Sequence, residues 1–232
     1  MQSQSSEHAG VGATQPPRAP IGTDGATSRI DPALLDLLSC PECGVGLTAA
    51  PGGIDCPGCG GSYALDHGIP ILLPSSFDAE HLHEEQELAH MMTEKEHLPA
   101  MRFNLEQWER SKLEFWAMVQ AGVTGTDKRF VNIGCGYDSH FSALESQGHT
   151  FVNFDMVLEM LRSLQSQAGA RFCVNGDLNR LPFKRGAFDY VVSIDVIHHE
   201  CDQLERLLGS FRDLLRPGGT LFLEDPNAWG MF

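Results

Sequence analysis

Two short cysteine motifs constrain the fold of this chain more than any other feature. Cys40-Pro-Glu-Cys43 and Cys56-Pro-Gly-Cys59 have the same internal spacing and are separated by twelve residues. Four thiolates in this arrangement can converge on one tetrahedral Zn²⁺ ion, and they leave no coordination position open for catalysis. The sequence therefore predicts a structural zinc ribbon whose ligands are Cys40, Cys43, Cys56 and Cys59.

The charge of the chain bears on what the ribbon and the rest of the protein can bind. The segment from Asp31 to Ser75 contains five Asp or Glu residues and no Lys or Arg, and the whole chain has a formal net charge of −15. Affinity for nucleic acids comes largely from cations that neutralise phosphates. The charge thus argues against a nucleic-acid partner, and it predicts that the ribbon is a packing or protein-contact module.

Composition divides the chain into four regions. Residues 1–29 are rich in small and polar residues and carry too few large apolar side chains to order themselves, so we expect a disordered tail. Residues 30–75 hold the ribbon, 76–125 form a helical linker or lid with an aromatic stripe, and 126–232 form a further domain. The chain has no run of about 20 apolar residues and no leader of basic then apolar residues, which predicts a cytoplasmic protein without a membrane partner.

Strand and helix patterns alternate from residue 126 onwards. The expected strands are Arg129–Ile133, Thr150–Phe154, Arg171–Val174, Tyr190–Ile194 and Thr220–Leu223, and the expected helices are 139–147, 156–167 and 202–215. This alternation predicts an α/β fold with a Rossmann-like open parallel sheet and helices on both faces. Ligands of such sheets bind beyond the carboxyl ends of the strands.

The residues that follow the first three strands form a candidate nucleoside site. The first strand runs into Gly134-Cys135-Gly136, where glycines let the backbone approach a ligand closely. Asp155 ends the second strand, where a carboxylate can accept hydrogen bonds from both ribose hydroxyls. Asp177 follows the third strand, where an acid or its backbone can meet an adenine amino group.

A nicotinamide dinucleotide is the nearest competing ligand for this sheet. It requires Gly-x-Gly-x-x-Gly, but Ser139 occupies the third glycine position. Tyr137 and Asp138 would place a bulky ring and a carboxylate where the diphosphate lies. A ligand without phosphates that carries a sulfonium cation suits such an acidic rim better.

The stretch Phe130–Leu223 resembles a class I S-adenosylmethionine-dependent methyltransferase. The matching segments are the glycine turn, Asp155, Gly176-Asp177 with Leu181-Pro182-Phe183, Phe188–His199 and Leu215–Gly219. The cysteine ribbon is similar to the N-terminal zinc modules of ribosomal-RNA guanine methyltransferases and to the small zinc-ribbon activators of other methyltransferases. The chain departs from the family pattern at Asn132, where an acid is frequent, and at Asp138, which replaces a frequent glycine.

The resemblance implies S-adenosylmethionine as the cofactor. It also implies a set of cofactor-binding residues, namely Asn132, Gly134, Cys135, Gly136, Asp155, Met156, Gly176, Asp177, Leu178 and Asp195. His198 and His199 follow the fourth strand and face the expected methyl-transfer region. Each is a candidate for the catalytic base, and each is equally compatible with packing against the cofactor.

Four functions stay open from the sequence, and the least favoured is a nicotinamide-dependent enzyme, which is kept only because it shares the sheet type. The acidic composition and the ribbon without cations favour a methyltransferase that acts on a small molecule, such as a biosynthetic intermediate. The ribbon-plus-domain architecture is also found in rRNA or tRNA base methyltransferases. The third function is a non-catalytic scaffold, completed by or regulating a partner chain.

The family's sheet continues past the fifth strand with a helix and an antiparallel hairpin, which this sequence lacks. We therefore expect the fifth strand to be an exposed edge. The sequence is then either a piece of a longer chain, an abbreviated domain, or one whose edge is covered in a homo- or hetero-oligomer. The Asn/Asp-Pro-Pro-Tyr motif of amino-group methyltransferases is also absent after the fourth strand, which favours an oxygen or carbon nucleophile.

Overall fold

The computed structural model describes residues 29–77, 82–83, 86 and 99–225, and the side chains of 99–106 and 200–202 are outside this description. The predicted tail therefore lies almost entirely outside the described residues. In chain order the elements are α1 (Pro32–Leu35), β1 (Thr48–Ala50), β2 (Gly53–Asp55), β3 (Ser62–Asp66), β4 (Ile69–Leu72), α2 (Pro99–Gly122), β5 (Arg129–Ile133), α3 (Ser142–Glu145), β6 (Thr150–Asp155), α4 (Leu158–Ala168), β7 (Phe172–Gly176), a 3-10 turn (Leu178–Arg180), β8 (Phe188–Ile194), a 3-10 segment (Ile197–Gln203), α5 (Leu204–Leu214) and β9 (Leu215–Glu224).

The predicted Rossmann-like sheet is confirmed. The described strands form one sheet in the order β1-β2-β3-β4-β7-β6-β5-β8-β9. The run β7-β6-β5-β8-β9 is parallel throughout. β4 joins this run in parallel beside β7, so the antiparallel strands of the cysteine region extend the same sheet.

The two faces of the sheet bury two separate apolar cores, because side chains of successive strand residues point to opposite faces. Val131 and Ile133 face a core shared with α5 and with the ribbon. Phe130 faces the second core, where it stacks between Phe151 at 4.3 Å and Tyr190 at 4.6 Å between ring centres. The first core includes ribbon residues, so the ribbon packs directly on the sheet.

Several predicted element bounds were wrong, and the final strand shows why. The last strand was expected over Thr220–Leu223, but β9 begins at Leu215 and includes the preceding Arg216–Gly219 segment. The register of its pairing with β8 shifts between Phe188 and Tyr190, as in a β-bulge. This shift lets the strand continue through the proline and the glycines. The helix expected over 202–215 begins as a 3-10 segment. The helix expected over 139–147 is reduced to one turn.

At the carboxyl-terminal edge of the described sheet, β9 pairs with β8 and lies outermost. Within the described ranges, no helix is both long enough and apolar enough to cross a membrane.

Candidate ligand site and metal centre

The four cysteines lie together in the structure. Their sulfur atoms are all within 4.8 Å of one another, with Cys40 Sγ 3.6 Å from Cys59 Sγ and Cys43 Sγ 3.4 Å from Cys56 Sγ. Zinc–sulfur bonds of about 2.3 Å give a tetrahedron with edges of about 3.8 Å. The donor set and its spacing therefore fit one Zn²⁺ ion.

The backbone around each cysteine pair explains this geometry. Gly44 N–H donates to Cys40 O at 2.8 Å, and Gly60 N–H donates to Cys56 O at 2.9 Å. Both glycines have positive φ, near 75°, which a residue with a side chain rarely adopts. The backbone N–H of Cys59 lowers the pKa of the Cys56 thiol, which favours the thiolate form that binds a metal.

The predicted glycine turn lies where β5 ends. Gly134 N–H and Cys135 N–H both donate to Phe154 O, at 2.9 and 3.1 Å. Gly134 has a φ of +65°, and a Cβ added there would lie 2.3 Å from a methyl carbon of Val196. This position therefore requires glycine. Gly136, also at positive φ, donates its N–H to Asp155 Oδ2 at 2.9 Å.

Asp155 connects the turns that follow β5 and β6. It is buried, and its second carboxylate oxygen accepts the N–H of Val157 at 2.8 Å. The side-chain amide of Asn175 donates to the backbone oxygens of Asp155 and Met156, at 3.1 and 2.8 Å. Sequence reasoning missed this role of Asn175, although an amide in a strand of buried residues was visible.

Asp177 lies immediately after β7, next to this pair of turns. Its Oδ1 accepts the N–H of Asn179 at 2.8 Å and so caps the 3-10 turn that begins at Leu178. A Cβ on Gly176 would lie 2.7 Å from the Phe154 ring, so this position also favours glycine. Because β5, β6 and β7 are neighbours, the structure brings the glycine turn, Asp155 and Asp177 together at one end of the sheet.

Two other predicted residues have buried side chains: Asn132 lies within β5, and Cys135 lies in the turn that follows it. Asn132 is 2% exposed, and its amide donates to Asn153 Oδ1 at 3.4 Å on the adjacent strand. The Cys135 side chain is buried, and burial raises the pKa of its thiol well above the usual value. Cys135 can therefore contact a ligand through its backbone but not through a reactive thiolate. A ligand-binding role for Asn132 stays a prediction.

Helix α2 lies beside the glycine turn and the end of β8. The Trp108 indole N–H donates to Asp195 Oδ2, and the Trp116 indole N–H donates to Asp138 Oδ2 at 2.7 Å. Asp195 directly follows β8 and has a φ of +56°, a conformation that is uncommon without glycine. The aromatic stripe, predicted as core or lid, thus packs into the second core and also binds two carboxylates of the site.

Lys112, which lies between these two tryptophans in the sequence of α2, is a buried cation. It is 7% exposed, and its Nζ lies 3.1 Å from the centre of the Trp108 ring and 3.7 Å from Glu109 Oε1. Burial lowers the pKa of its ammonium, while the carboxylates of Asp138, Glu109 and Asp195 act in the opposite direction. Sequence reasoning missed Lys112, although it lies four residues from each tryptophan and so on the same helix face.

A histidine and an aspartate lie together beyond β8 and β9. His198 Nδ1 is 2.9 Å from Asp225 Oδ1, while Asp225 Oδ2 accepts the N–H groups of Val196 and Ile197 at 3.0 and 2.8 Å. The ring of His199 lies 4.2 Å from that of His198 between centres. Sequence reasoning missed Asp225, because its partner is 27 residues away in the chain.

The chain resembles known methyltransferases over this sheet. The family model described as a methyltransferase domain matches residues 131–223. A malonyl-[acyl-carrier protein] O-methyltransferase from Pseudescherichia vulneris is 32% identical over 91 residues, which are 39% of this chain and 36% of that protein. A ubiquinone biosynthesis O-methyltransferase from Xanthomonas campestris pv. campestris is 29% identical over 114 residues, 47% of each chain.

A solved structure from Pyrococcus horikoshii OT3 is 24% identical, with a TM-score of 0.43, over 49% of this chain and 56% of that one. The alignments span 36% to 59% of the length of the curated relatives.

Proposed function

Residues 131–223 are a class I S-adenosylmethionine-dependent methyltransferase domain, and from this premise we propose that the protein methylates an oxygen atom of a small molecule. The observation that carries the proposal is the cluster of Gly134, Asp155 and Asp177 at the carboxyl ends of three adjacent parallel strands. This is where a parallel α/β sheet binds a nucleoside.

The charges around this cluster suit the cofactor. Asp155 would hold the ribose hydroxyls, and Asp177 would meet the adenine amino group. The amino-acid end of S-adenosylmethionine carries one ammonium and one carboxylate. The structure offers a buried cation and a buried carboxylate near each other, Lys112 and Asp138, which are complementary to that pair. Of the remaining predicted cofactor residues, Met156 and Leu178 directly follow Asp155 and Asp177, and Asp195 directly follows β8, the neighbour of β5.

S-adenosylmethionine supplies a methyl group that is already activated by its sulfonium. The protein therefore has to align the acceptor with the methyl group and keep water out. Helix α2 is placed for both tasks, because its tryptophans bind the turns after β5 and β8. Glu224 lies beside this helix, where its Oε1 accepts the Ser111 hydroxyl.

A hydroxyl acceptor has to lose a proton as it is methylated, and His198 is our candidate for the base. When Nδ1–H donates to Asp225, the other ring nitrogen, Nε2, carries the lone pair that accepts a proton. His199 stays a second candidate, since its ring lies against that of His198.

Charge and the relatives favour a small acceptor over RNA. The chain has 31 acidic and 16 basic residues, so it has few cations with which to bind a phosphate backbone. The two curated relatives described above are named as O-methyltransferases. We further propose that the four cysteines hold a structural Zn²⁺ ion, because four thiolates close its coordination sphere.

The test is transfer of a tritiated methyl group from S-adenosylmethionine to a panel of small phenols and carboxylic acids, with structured RNA as a parallel substrate. We expect label in at least one small acceptor and none in RNA. Label in RNA alone would favour the base methyltransferase. Failure of the zinc-loaded protein to bind S-adenosylmethionine would contradict a methyltransferase of either kind.

In the same assay, we expect Asp225→Asn to lower the turnover rate by roughly tenfold, because a charged hydrogen bond that orients His198 is worth about 1.5 kcal/mol. The Asn oxygen can still accept a backbone N–H, so S-adenosylhomocysteine should bind as in the wild type. His199→Gln, a change in the neighbouring ring, serves as the comparison. Loss of activity in His199→Gln alone would make His199 the base instead.

A further inference from the structure

The ribbon reaches the cofactor-binding end of the sheet through β4. This strand pairs in parallel with the end of β7, with Ile71 opposite Asn175 and Leu72 opposite Gly176. The next residue after Gly176 is Asp177. We call residues 176–184 the β7 loop. Its first residue is therefore in the sheet beside a ribbon strand.

The far end of the β7 loop is also bound to the ribbon. Ser39 N–H donates to Pro182 O, and Lys184 N–H donates to Leu37 O, both at 2.9 Å. These are backbone hydrogen bonds to the chain directly before Cys40. The β7 loop is thus held by the ribbon at both ends.

A third contact fixes the middle of the β7 loop. Glu42 lies between the first two cysteines, and its carboxylate is 3.4 Å from Arg180 Nη1. Arg180 ends the 3-10 turn that Asp177 caps. The ribbon therefore contacts the loop on both sides of Asp177 and within three residues of it.

The acidic side chains of the ribbon form ion pairs with basic side chains outside it, which agrees with the ribbon packing on the sheet. Four of its five acids pair with bases outside the ribbon, and the pairs are Asp31–Arg171 at 3.1 Å, Asp36–Lys184 at 3.2 Å, Glu42–Arg180 at 3.4 Å and Asp66–Arg162 at 2.6 Å. The fifth acid, Asp55, accepts the Ser62 hydroxyl within the ribbon at 2.7 Å. The first three pairs are largely exposed and add little stability, whereas the Asp66 carboxylate is buried; all four favour one docked arrangement over others.

We propose that the ribbon is a positioning element for Asp177, so that metal binding at the four cysteines sets how well the site distinguishes adenine. The metal fixes the first cysteine pair, which carries Glu42 and follows Ser39, and both residues hold the β7 loop. This inference rests on the proposed function, because it takes Asp177 as the residue that meets the adenine amino group.

The experiment compares S-adenosylhomocysteine with S-inosylhomocysteine, which has an oxygen in place of the adenine amino group. The ratio of their dissociation constants measures recognition of the adenine edge, because the amino donor becomes a carbonyl acceptor and N1 becomes an N–H donor. For the zinc-loaded wild type we expect a ratio of about 10 or more, as for a hydrogen bond to a charged acceptor. After zinc is removed with a chelator, the ratio should fall toward about 1.

Two matched variants test the same inference with the metal retained. Glu42→Gln and Asp55→Asn each remove one ribbon acid, but only Glu42 contacts the β7 loop. We expect Glu42→Gln to lower the ratio by roughly threefold, because the loss of an exposed ion pair has an effect of about this size. Asp55→Asn should leave the ratio unchanged.

Three results overturn the proposal. They are a wild-type ratio near 1, equal weakening of both ligands when zinc is removed, and equal effects of the two variants. In each of these, S-adenosylhomocysteine still binds the zinc-loaded protein, so the proposed function survives. Binding of neither ligand to that protein would contradict the proposed function as well.

Discussion

Changing Cys40 to Ser is expected to abolish zinc binding and to unfold the ribbon. The wild type should contain about one zinc ion per chain and the variant none, because a three-thiolate remnant of a structural site binds weakly. Cys40 is also part of the core that the ribbon shares with the sheet. We therefore expect the melting temperature to fall by at least about 10 °C. Elemental analysis and thermal unfolding monitored by circular dichroism measure the two effects.

Cys173→Ser is the matched control for this change. Cys173 is buried in the second core and is not part of the four-cysteine cluster. This variant should keep its zinc even if it is somewhat less stable. A zinc content that is unaffected in Cys40→Ser would show that the ion binds elsewhere.

Asp155→Ala is expected to weaken both the fold and ligand binding. Its carboxylate accepts the N–H groups of Gly136 and Val157, so its removal leaves two inward-facing donors without acceptors. At about 1.5 kcal/mol for each charged hydrogen bond, the free energy of unfolding should fall by about 3 kcal/mol. Loss of the contacts to ribose should also weaken the binding free energy of S-adenosylhomocysteine by about 1–3 kcal/mol, which raises its dissociation constant roughly 5- to 150-fold.

The control for Asp155→Ala is Asn175→Ala, which removes the amide that braces the same turn from the other side. This variant should lose stability and keep most of its affinity, since the carboxylate and its own hydrogen bonds stay in place. Urea unfolding gives the stability, and calorimetry at a temperature where both variants are folded gives the affinity. An unchanged affinity in Asp155→Ala would mean that the ligand binds elsewhere.

Local sequence patterns predicted the parallel sheet well, because each central strand is a short apolar run that ends at a polar or glycine residue. The bounds of β5, Arg129–Ile133, were predicted correctly. The strands β1 and β2 were missed, since each has three residues and little apolar content. Helix α1 is a single turn, Pro32–Leu35, because Leu38 enters an antiparallel bridge with Phe183.

The parts of the site that sequence reasoning missed depend on contacts between distant segments. Lys112 gains its importance from burial beneath Trp108, which the helical period alone does not reveal. Asp225 matters because β9 brings it to His198. The pairing of β4 with β7 joins segments about 100 residues apart, and no local pattern specifies a strand's partner. The acids of the ribbon were visible in the sequence, but their partners were not.

The most direct test of the proposed cofactor site is a crystal structure of the zinc-loaded protein with S-adenosylhomocysteine. We expect one ligand per chain, with its ribose hydroxyls on the Asp155 carboxylate, its adenine amino group at Asp177 and its amino-acid end between Lys112 and Asp138. A ligand bound away from the carboxyl ends of β5, β6 and β7, or turned so that Asp155 faces no hydroxyl, would contradict it.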